Sequence, residues 1–326
     1  MSTLFVIFSD LDSTLLDHQT YSYQAASLVL KKLKKKKIPL VLCTSKTRAE
    51  TEVFSRKLGL SHPFIVENGG AIFIPEGYFP DYLYRKAAVR AIKSDGYSLI
   101  QLGTSYRKLR RVFQIMKKNA KVRLIGFGDL SSEEIAAVTG LSLRMARLAR
   151  QREFDEPFFI KGSLEFRLSA RERRRSRGGI SHRSVKAESK KTKPITGQEA
   201  VQVARSKDEL QKQLRQLTRI ARFYGLKITP GGRFFHLTGN SDKGRAVRIL
   251  KKLYRFQLGK VVTIGLGDSA NDWPMLRAVD LPVLVARPDG SWTEIPGMED
   301  KIFKASLPGP EGWAEAVSYL LAEFIK

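Results

Sequence analysis

The first apolar segment of the chain runs from Leu4 to Phe8, and Asp10 follows it almost at once. Consecutive apolar residues without polar alternation indicate a strand that is buried on both faces, as in a parallel sheet. Strands and helical patterns then alternate along the chain, which predicts right-handed βαβ units and an α/β fold class. Further apolar runs of this kind lie at 38–43, 64–66, 261–264 and 281–286.

The middle of the chain interrupts this alternating pattern. A length of 326 residues suggests about two domains, and helical patterns dominate the centre, at 106–118, 131–151 and 207–224. We therefore predict a discontinuous parallel-sheet core made of residues 1–82 and 238–326. An α+β domain is inserted between the two parts and covers residues 83–237.

Positive charge is concentrated in two segments of a chain whose formal net charge is +26. Six lysines lie in Lys31–Lys37, at the end of a predicted helix, where cations suit the helix dipole and face solvent. Residues 171–193 hold ten Lys or Arg and two acids, which predicts a basic, flexible insert at about 171–203. That segment lacks the interleaved aromatic residues that stack on bases, so we do not expect nucleic-acid binding as the main function.

The composition also predicts a cellular compartment. Cys43 is the single cysteine of the sequence, which excludes an internal disulfide and fits a reducing environment. The N-terminal apolar run is shorter than a signal peptide requires, and no apolar stretch approaches the ~20 residues of a membrane-spanning helix. We expect a cytoplasmic protein that does not bind a membrane.

Two acids follow the first predicted strand in the segment Asp10-Leu11-Asp12-Ser13-Thr14. At the carboxyl end of a strand, one carboxylate can attack phosphorus and the other can transfer protons. Asp and Ser also form ordinary turns, so this segment alone leaves both interpretations open.

A second acidic segment follows the apolar run at 261–264 and reads Gly267-Asp268-Ser269-Ala270-Asn271-Asp272. Two carboxylates four residues apart at a strand end offer oxygen ligands for a hard cation such as Mg²⁺, and Mn²⁺ accepts the same ligands. Thr44 follows the second strand and can bind a phosphate oxygen or simply cap a helix. Lys243 supplies a cation but carries no signal by itself.

These four segments occur in the order, and at the strand ends, that the haloacid dehalogenase superfamily of phosphatases uses, and the chain resembles that superfamily. The resemblance implies a Rossmannoid core with a cap domain, catalysis by Asp10, Asp12 and Lys243, and phosphate binding by Thr44. Asp10 would be the nucleophile and Asp12 the acid/base. Ser13 stands where many members have Gly. The implied Mg²⁺ ligands are Asp10, Asp12 through its backbone carbonyl, Asp268 and Asp272.

A narrower resemblance, to the mannosyl-3-phosphoglycerate phosphatases, rests on segments 43–50, 63–71, 126–129, 151–158 and 231–237. It implies a magnesium-dependent phosphatase that converts mannosyl-3-phosphoglycerate to the compatible solute mannosylglycerate through an aspartyl-phosphate. The partner would be this small phosphorylated sugar-glycerate. The residues expected to bind substrate are Thr44, Ser45, Lys46, Asn68, Arg152 and Arg233.

Three alternatives remain at this stage. The substrate can be glucosyl-3-phosphoglycerate or another sugar phosphate with the same chemistry. A phosphomutase is a further alternative that sequence spacing does not exclude. The chain can also be a basic polyanion-binding protein with a degenerate core, but the intact Asp10, Asp12, Lys243 and Asp268 argue against that.

Overall fold

The structure is a computed structural model that describes residues 4–160, 197–231 and 234–324. Most of the predicted basic insert therefore lies outside the described residues. The strands are β1 (Leu4–Ser9), β2 (Leu40–Cys43), β3 (Phe64–Val66), β4 (Ala71–Pro75), β5 (Ile92–Ser94), β6 (Tyr97–Gln101), β7 (Leu124–Gly126), β8 (Asp155–Ile160), β9 (Lys227–Pro230), β10 (Phe235–Thr238), β11 (Val261–Gly267), β12 (Leu281–Ala286) and β13 (Phe303–Pro308).

The helices complete the architecture. They are α1 (Ser27–Lys35), α2 (Arg48–Leu58), α3 (Asp81–Lys86), α4 (Tyr106–Asn119), α5 (Ser132–Thr139), α6 (Leu143–Ala149), α7 (Gly197–Phe223), α8 (Lys243–Leu258), α9 (Trp273–Leu276) and α10 (Gly309–Phe324).

The larger of two sheets has nine strands in the order β13-β12-β11-β1-β2-β3-β4-β6-β5. The six strands from β13 to β3 are parallel, and β4, β6 and β5 extend the sheet in antiparallel pairs. The central strand β1 pairs with β2 on one side and with β11 on the other. The predicted parallel α/β core is therefore present.

Two apolar layers cover the faces of this sheet. Alternate residues of β1 point to opposite faces, so Ile7 belongs to one buried cluster and Phe8 to the other. Trp313 of α10 is buried in the first cluster, and Tyr254 of α8 is buried in the second. This burial on both faces is the reason that the core strands read as continuous apolar runs.

One predicted helix is wrong. The pattern over 131–151 predicts a single helix, whereas the structure has α5 and α6. Gly140 ends α5 in the left-handed conformation with φ 77°, and the Ser142 side chain accepts a hydrogen bond from the N–H of Met145 at the start of α6. A left-handed glycine followed by a capping serine stops one helix and starts the next.

The chain divides into two compact units. Unit 1 comprises residues 1–106, 131–155 and 238–326, and unit 2 comprises 107–130 and 156–237. In this division residues 83–106 and 131–155 group with unit 1, and the domain bounds at 82/83 and 237/238 stay a prediction. Two contacts explain the grouping: β6 hydrogen-bonds to β4 in the large sheet, and the Thr47 hydroxyl donates to the carbonyl of Leu148 in α6 at 3.0 Å.

Unit 2 contains the second sheet, with the strand order β7-β8-β10-β9, and β7 is antiparallel to β8. Its interior includes the rings of Phe113, Phe158 and Phe235, with successive centroids 5.3 and 5.6 Å apart. The guanidinium of Arg110 donates to Asp129 at 2.6 Å and to the buried Glu156 at 2.8 Å. Because these ion pairs join α4 to both β8 and the turn after β7, they fix the strands on the helix.

Among the described residues, no helix combines the length and the apolar character needed to cross a membrane.

Candidate active site

Three strands of unit 1 deliver side chains to the same edge of the large sheet. Asp10 follows β1, Thr44 follows β2 and Asp268 follows β11, and these strands are parallel neighbours. The N–H of Asp10 donates to the carbonyl of Leu266 at 2.9 Å, which extends the sheet pairing up to the site. The carboxyl ends of parallel strands are where α/β folds place their ligands.

Lys243 adds a cation from the first turn of α8. The helix begins there because the Asp242 side chain accepts a hydrogen bond from the N–H of Arg245. Lys243 is buried, with 1% of its surface exposed. Its ammonium donates to Oδ1 of Asp10 at 2.8 Å and to Oδ1 of Asp272 at 2.6 Å. A buried lysine with two carboxylate partners is retained in its charged form.

The loop after β11 is held together by the Asp272 carboxylate. Its Oδ2 accepts hydrogen bonds from the N–H groups of Asp268 at 3.2 Å and Ser269 at 3.1 Å. Asp268 is fixed further by the Thr14 hydroxyl, which donates to its Oδ1 at 3.3 Å, and by the Thr293 hydroxyl, which donates to its carbonyl at 2.7 Å. Both Asp272 oxygens therefore have protein donors, so this residue orients Lys243 and the loop.

Three carboxylates of this edge can converge on one cation. Asp10, Asp268 and Asp272 each offer an oxygen, and these oxygens all lie within 4.8 Å of one another. An all-oxygen set of carboxylates suits a hard divalent cation. The residues present thus fit a metal ion, and they include three of the four predicted ligands. The fourth, the backbone carbonyl of Asp12, stays a prediction.

Burial and mutual repulsion favour the protonated form of two of these acids. Burial raises the pKa of Asp10 to about 7; the Lys243 charge opposes the rise, and the Asp272 charge adds to it. Burial, followed by repulsion from Asp272 and Asp10, also raises the pKa of Asp268 well above its ordinary value. A cation bound between these groups would favour their ionised forms.

Asp12 pairs with a different cation. Its Oδ1 lies 2.9 Å from the ammonium of Lys46, whose side chain is 7% exposed, whereas the Asp12 side chain is 40% exposed. Lys46 was predicted to bind substrate, and the structure places it against the second acid of the first motif. Next to Asp12, the Ser13 hydroxyl lies 2.9 Å from Nδ1 of His18, and Ser13 has φ 60°.

The loop that follows β2 is fastened through its carbonyl groups. The carbonyls of Thr44 and Lys46 accept hydrogen bonds from the N–H groups of Asn68 and Glu67, both at 3.0 Å. The carbonyl between them, that of Ser45, accepts from the guanidinium of Arg152 at 2.9 Å. All three consecutive carbonyls are thus held by the protein, which makes this loop a rigid part of the site.

Comparison with known proteins identifies the family. A family model described as haloacid dehalogenase-like hydrolase matches residues 7–96 and 160–290. The chain belongs to the haloacid dehalogenase-like hydrolases. The resemblance found in the sequence is thereby confirmed, and so are the fold class and the prediction that the chain is an enzyme.

Relatives of this hydrolase match it over nearly its full length. A protein of Methanococcoides burtonii named glucosyl-3-phosphoglycerate/mannosyl-3-phosphoglycerate phosphatase is 40% identical over 98% of this chain and 97% of its own. A mannosyl-3-phosphoglycerate phosphatase of Pyrococcus furiosus is 33% identical over 86% of this chain and 90% of its own.

A solved structure shares the fold. The sucrose-phosphatase of Synechocystis sp., in complex with sucrose and phosphate, superposes with a TM-score of 0.52 at 16% identity, covering 99% of this chain and 98% of its own. At this identity the likeness concerns the fold alone.

The remaining predicted substrate residues of the hydrolase have separate positions. Asn68 accepts a hydrogen bond from the Asn271 amide at 3.3 Å and so lies beside the metal-site loop. Arg152, expected in the cap, belongs to unit 1 and donates to Ser45 and Ala149 carbonyls. Arg233 lies outside the described residues. The roles of all three in binding substrate stay predictions.

Glu67 is a buried residue of the site region that the sequence analysis missed. Its carboxylate accepts hydrogen bonds from the N–H groups of Glu153 at 3.0 Å and Phe154 at 2.9 Å. Burial raises its pKa to about 8, although the nearby Arg152 charge lowers it. The sequence did carry a signal for this residue. Glu67 lies directly between the buried strand β3 and Gly69-Gly70, a position where an acidic side chain is expected to be buried.

Proposed function

We propose that this hydrolase is a magnesium-dependent phosphatase that converts mannosyl-3-phosphoglycerate to mannosylglycerate and phosphate, with glucosyl-3-phosphoglycerate as the alternative substrate. The observation that carries the chemistry is the contact of Asp10 with Lys243 at 2.8 Å beside the Asp268 carboxylate. The names of the two relatives, which align over nearly the whole chain including unit 2, support the substrate class. The product is a compatible solute, and we place the enzyme in the cytoplasm.

Asp10, Asp268 and Asp272 would hold Mg²⁺ together with the Asp12 carbonyl. When bound, the ion screens the charge of the phosphate and of the Asp10 carboxylate, so that the two anions can approach.

In the first step, an oxygen of Asp10 attacks phosphorus and the bond to the ester oxygen breaks. The departing alkoxide takes a proton from the Asp12 carboxyl and becomes a hydroxyl group of the sugar-glycerate. The phosphoryl group is then carried by Asp10 as an aspartyl-phosphate. Lys243 lies within hydrogen-bond distance of Asp10 and neutralises charge on the attacking carboxylate and on the phosphoryl oxygens.

In the second step, Asp12 accepts a proton from water, and that water attacks phosphorus. The bond between phosphorus and Asp10 breaks, which restores the Asp10 carboxylate and releases phosphate. The Thr44 hydroxyl would donate to a phosphoryl oxygen during both steps. The fastened carbonyls of Thr44, Ser45 and Lys46 support this role because they keep the loop in place.

Unit 2 is proposed as the domain that selects the substrate. It contains the segments 126–129 and 231–237, which carry part of the narrower resemblance. Asn68, Arg152 and Arg233 remain candidates for contacts with the sugar or with the glycerate carboxylate, since guanidinium groups pair with carboxylates in two-point geometry.

A substrate panel tests the proposal. Phosphate release is measured from mannosyl-3-phosphoglycerate, glucosyl-3-phosphoglycerate, sucrose 6-phosphate and hexose phosphates, with Mg²⁺ and with a chelator. We expect magnesium-dependent release that is fastest with one of the two phosphoglycerate compounds. Release from a hexose phosphate alone would support the phosphatase mechanism and contradict the proposed substrate. No release from any compound would contradict the proposed function.

The nucleophile is tested by Asp10→Asn. An amide cannot form the aspartyl-phosphate, so we expect loss of at least about 10³-fold in kcat. Asp280→Asn is the matched control, because Asp280 is bound to Lys251 (2.6 Å) and Thr263 at the opposite end of β11. Substantial activity in Asp10→Asn would contradict the assignment.

A further inference from the structure

The Lys46 side chain is poorly accessible to a substrate. Its side chain is 7% exposed, and its ammonium lies 2.9 Å from Oδ1 of Asp12. Among the described residues, Lys46 is the one cation paired with Asp12. The carboxylate itself is 40% exposed, so without this contact it would be free to rotate toward solvent.

The surroundings of the Lys46 ammonium keep it at this position. It lies 5.1 Å from the centroid of the Tyr21 ring and 5.5 Å from that of Phe54, and Oε1 of Glu50 is 4.0 Å away. Aromatic faces and carboxylates both favour a cation, and burial penalises any orientation in which the charge loses these partners. The ammonium is thus confined from several sides.

The backbone of Lys46 is fixed as well. Its N–H donates to the Thr44 hydroxyl at 3.2 Å, and its carbonyl accepts from the Glu67 N–H at 3.0 Å. The next residue, Thr47, begins α2 in a capping box with Glu50, where the Glu50 carboxylate accepts from the Thr47 N–H at 3.0 Å. Because the Lys46 side chain is held at both its base and its tip, it fixes the position of Asp12 relative to the loop that follows β2.

We propose that Lys46 is a positioning residue: by binding Oδ1 of Asp12, it orients the carboxyl group so that its other oxygen faces the reacting ester. This inference rests on the proposed phosphatase function and deepens it. Asp12 gives a proton to the leaving oxygen in the first step and takes one from water in the second. Both transfers need the same orientation, so Lys46 acts on both steps without touching the substrate.

The experiment compares two kinds of ester in Lys46→Met, which keeps the length of the side chain and removes the charge. With an alkyl phosphate the leaving alkoxide needs a proton, so we expect kcat to fall by roughly 10²-fold. The KM should stay within about threefold of the unchanged protein, because uniform binding is not affected.

With p-nitrophenyl phosphate the leaving group is a stable phenolate that needs no proton. The first step then proceeds in Lys46→Met while the second step is slow. We expect a rapid burst of about one nitrophenolate per active site, followed by slow turnover. Asp12→Asn should give the same pair of results.

Lys251→Met is the matched control. Its ammonium lies 2.6 Å from Asp280, with side-chain exposures of 13% and 35% for the two partners, so the pair resembles that of Lys46 and Asp12 in exposure but lies away from the site. We expect kcat, KM and the burst to stay as in the unchanged protein. Thermal unfolding of both variants shows whether either has lost its fold.

Two results would overturn the inference. A rise in KM with unchanged kcat would make Lys46 a substrate ligand, and equal loss with both kinds of ester and no burst would make it merely structural. Failure of the phosphatase function itself is recognised separately, because the unchanged protein would then hydrolyse none of the esters. In that case crystal structures decide: the Asp12 carboxylate should turn away in Lys46→Met, and an unmoved Asp12 would reject the positioning role.

Discussion

The ammonium of Lys243 donates a 2.8 Å hydrogen bond to Oδ1 of Asp10, although 233 residues separate the two in the sequence. Both side chains are buried, so the charge of each favours the ionised form of the other. The contact joins the first turn of α8 to the end of β1. It therefore couples the stability of unit 1 to the geometry of Asp10, the proposed nucleophile.

Replacement of Lys243 by Met should cost stability as well as activity. The carboxylates of Asp10 and Asp272 would remain buried without their cation, which typically costs about 3–5 kcal/mol. Because burial raises the pKa of Asp10 to about 7, its protonation relieves the repulsion at low pH, and we expect a larger loss at pH 8 than at pH 5.5. Urea denaturation at both pH values measures it.

Lys251→Met serves as the control for this prediction, since a partly exposed pair contributes about 0–1 kcal/mol. An equal loss of stability in the two variants, or a loss that does not depend on pH, would contradict the explanation.

Gly69 should not tolerate a side chain. It has φ 88°, and a Cβ atom there would lie 2.2 Å from the Asp242 carbonyl oxygen and 2.8 Å from the backbone nitrogen of Lys243. We expect Gly69→Ala to displace the start of α8 and to lower both stability, by about 2–4 kcal/mol, and kcat.

Gly77→Ala separates the two causes of this effect. Gly77 has φ 76° but nothing within 4 Å of its added Cβ, so only the backbone strain of about 1–2 kcal/mol applies. Chemical denaturation and steady-state kinetics of both variants provide the comparison. Similar losses in the two would show that crowding against Asp242 is unimportant.

Glu67 should make the stability of the protein depend on pH. Its pKa is about 8 in the folded protein against 4.5 for an ordinary glutamate, so the folded state binds the proton more tightly. The resulting contribution is fully present below about pH 4.5 and is lost as the pH rises through about 8.

The measurement is the free energy of unfolding at several pH values between 5 and 8, for the unchanged protein and for Glu67→Gln. We expect the unchanged protein to lose up to a few kcal/mol more than the variant across this window, at ~1.4 kcal/mol per pKa unit. Glu76→Gln, at an exposed carboxylate that binds Lys93, is the control. Parallel curves for all three proteins would refute the role of Glu67.

Magnesium should stabilise the protein more at pH 8 than at pH 6. Burial raises the pKa of Asp10 to about 7 and raises that of Asp268, so protons compete with the cation at the lower pH. A ligand that binds only the folded state raises the melting temperature. The increase in Tm with added Mg²⁺ should vanish in Asp268→Asn, and its persistence there would place the ion elsewhere.

The strands that precede Asp10, Thr44 and Asp268 were predictable, because a strand buried on both faces appears in the sequence as a continuous apolar run. Their meeting at one edge then followed from parallel topology. The helix pattern at 131–151 failed for a local reason, since periodicity ignores the left-handed turn at Gly140. The pairing that joins β5 and β6 to the large sheet was not predicted, because local sequence does not encode it.

The contacts behind the site were not predictable from local patterns. Lys46 and Arg152 were expected to bind substrate, and the sequence did not indicate their partners in other segments, which are Asp12 for Lys46 and the Ser45 carbonyl for Arg152. Glu67 was overlooked for the same reason, because its donors at 153 and 154 come from a distant part of the chain. Such pairs appear only when the chain is folded.

The pairing of Leu4 with Val261, at the centre of the large sheet, has a consequence for synthesis on the ribosome. One edge of β1 stays without its partner until β11 has been made, which takes roughly 10–50 s at ~5–20 residues per second. During that time the nascent chain has an unpaired edge on a strand that is apolar from Leu4 to Phe8. Because Asp268 follows β11, the group of carboxylates around Asp10 is complete only after that strand has been made.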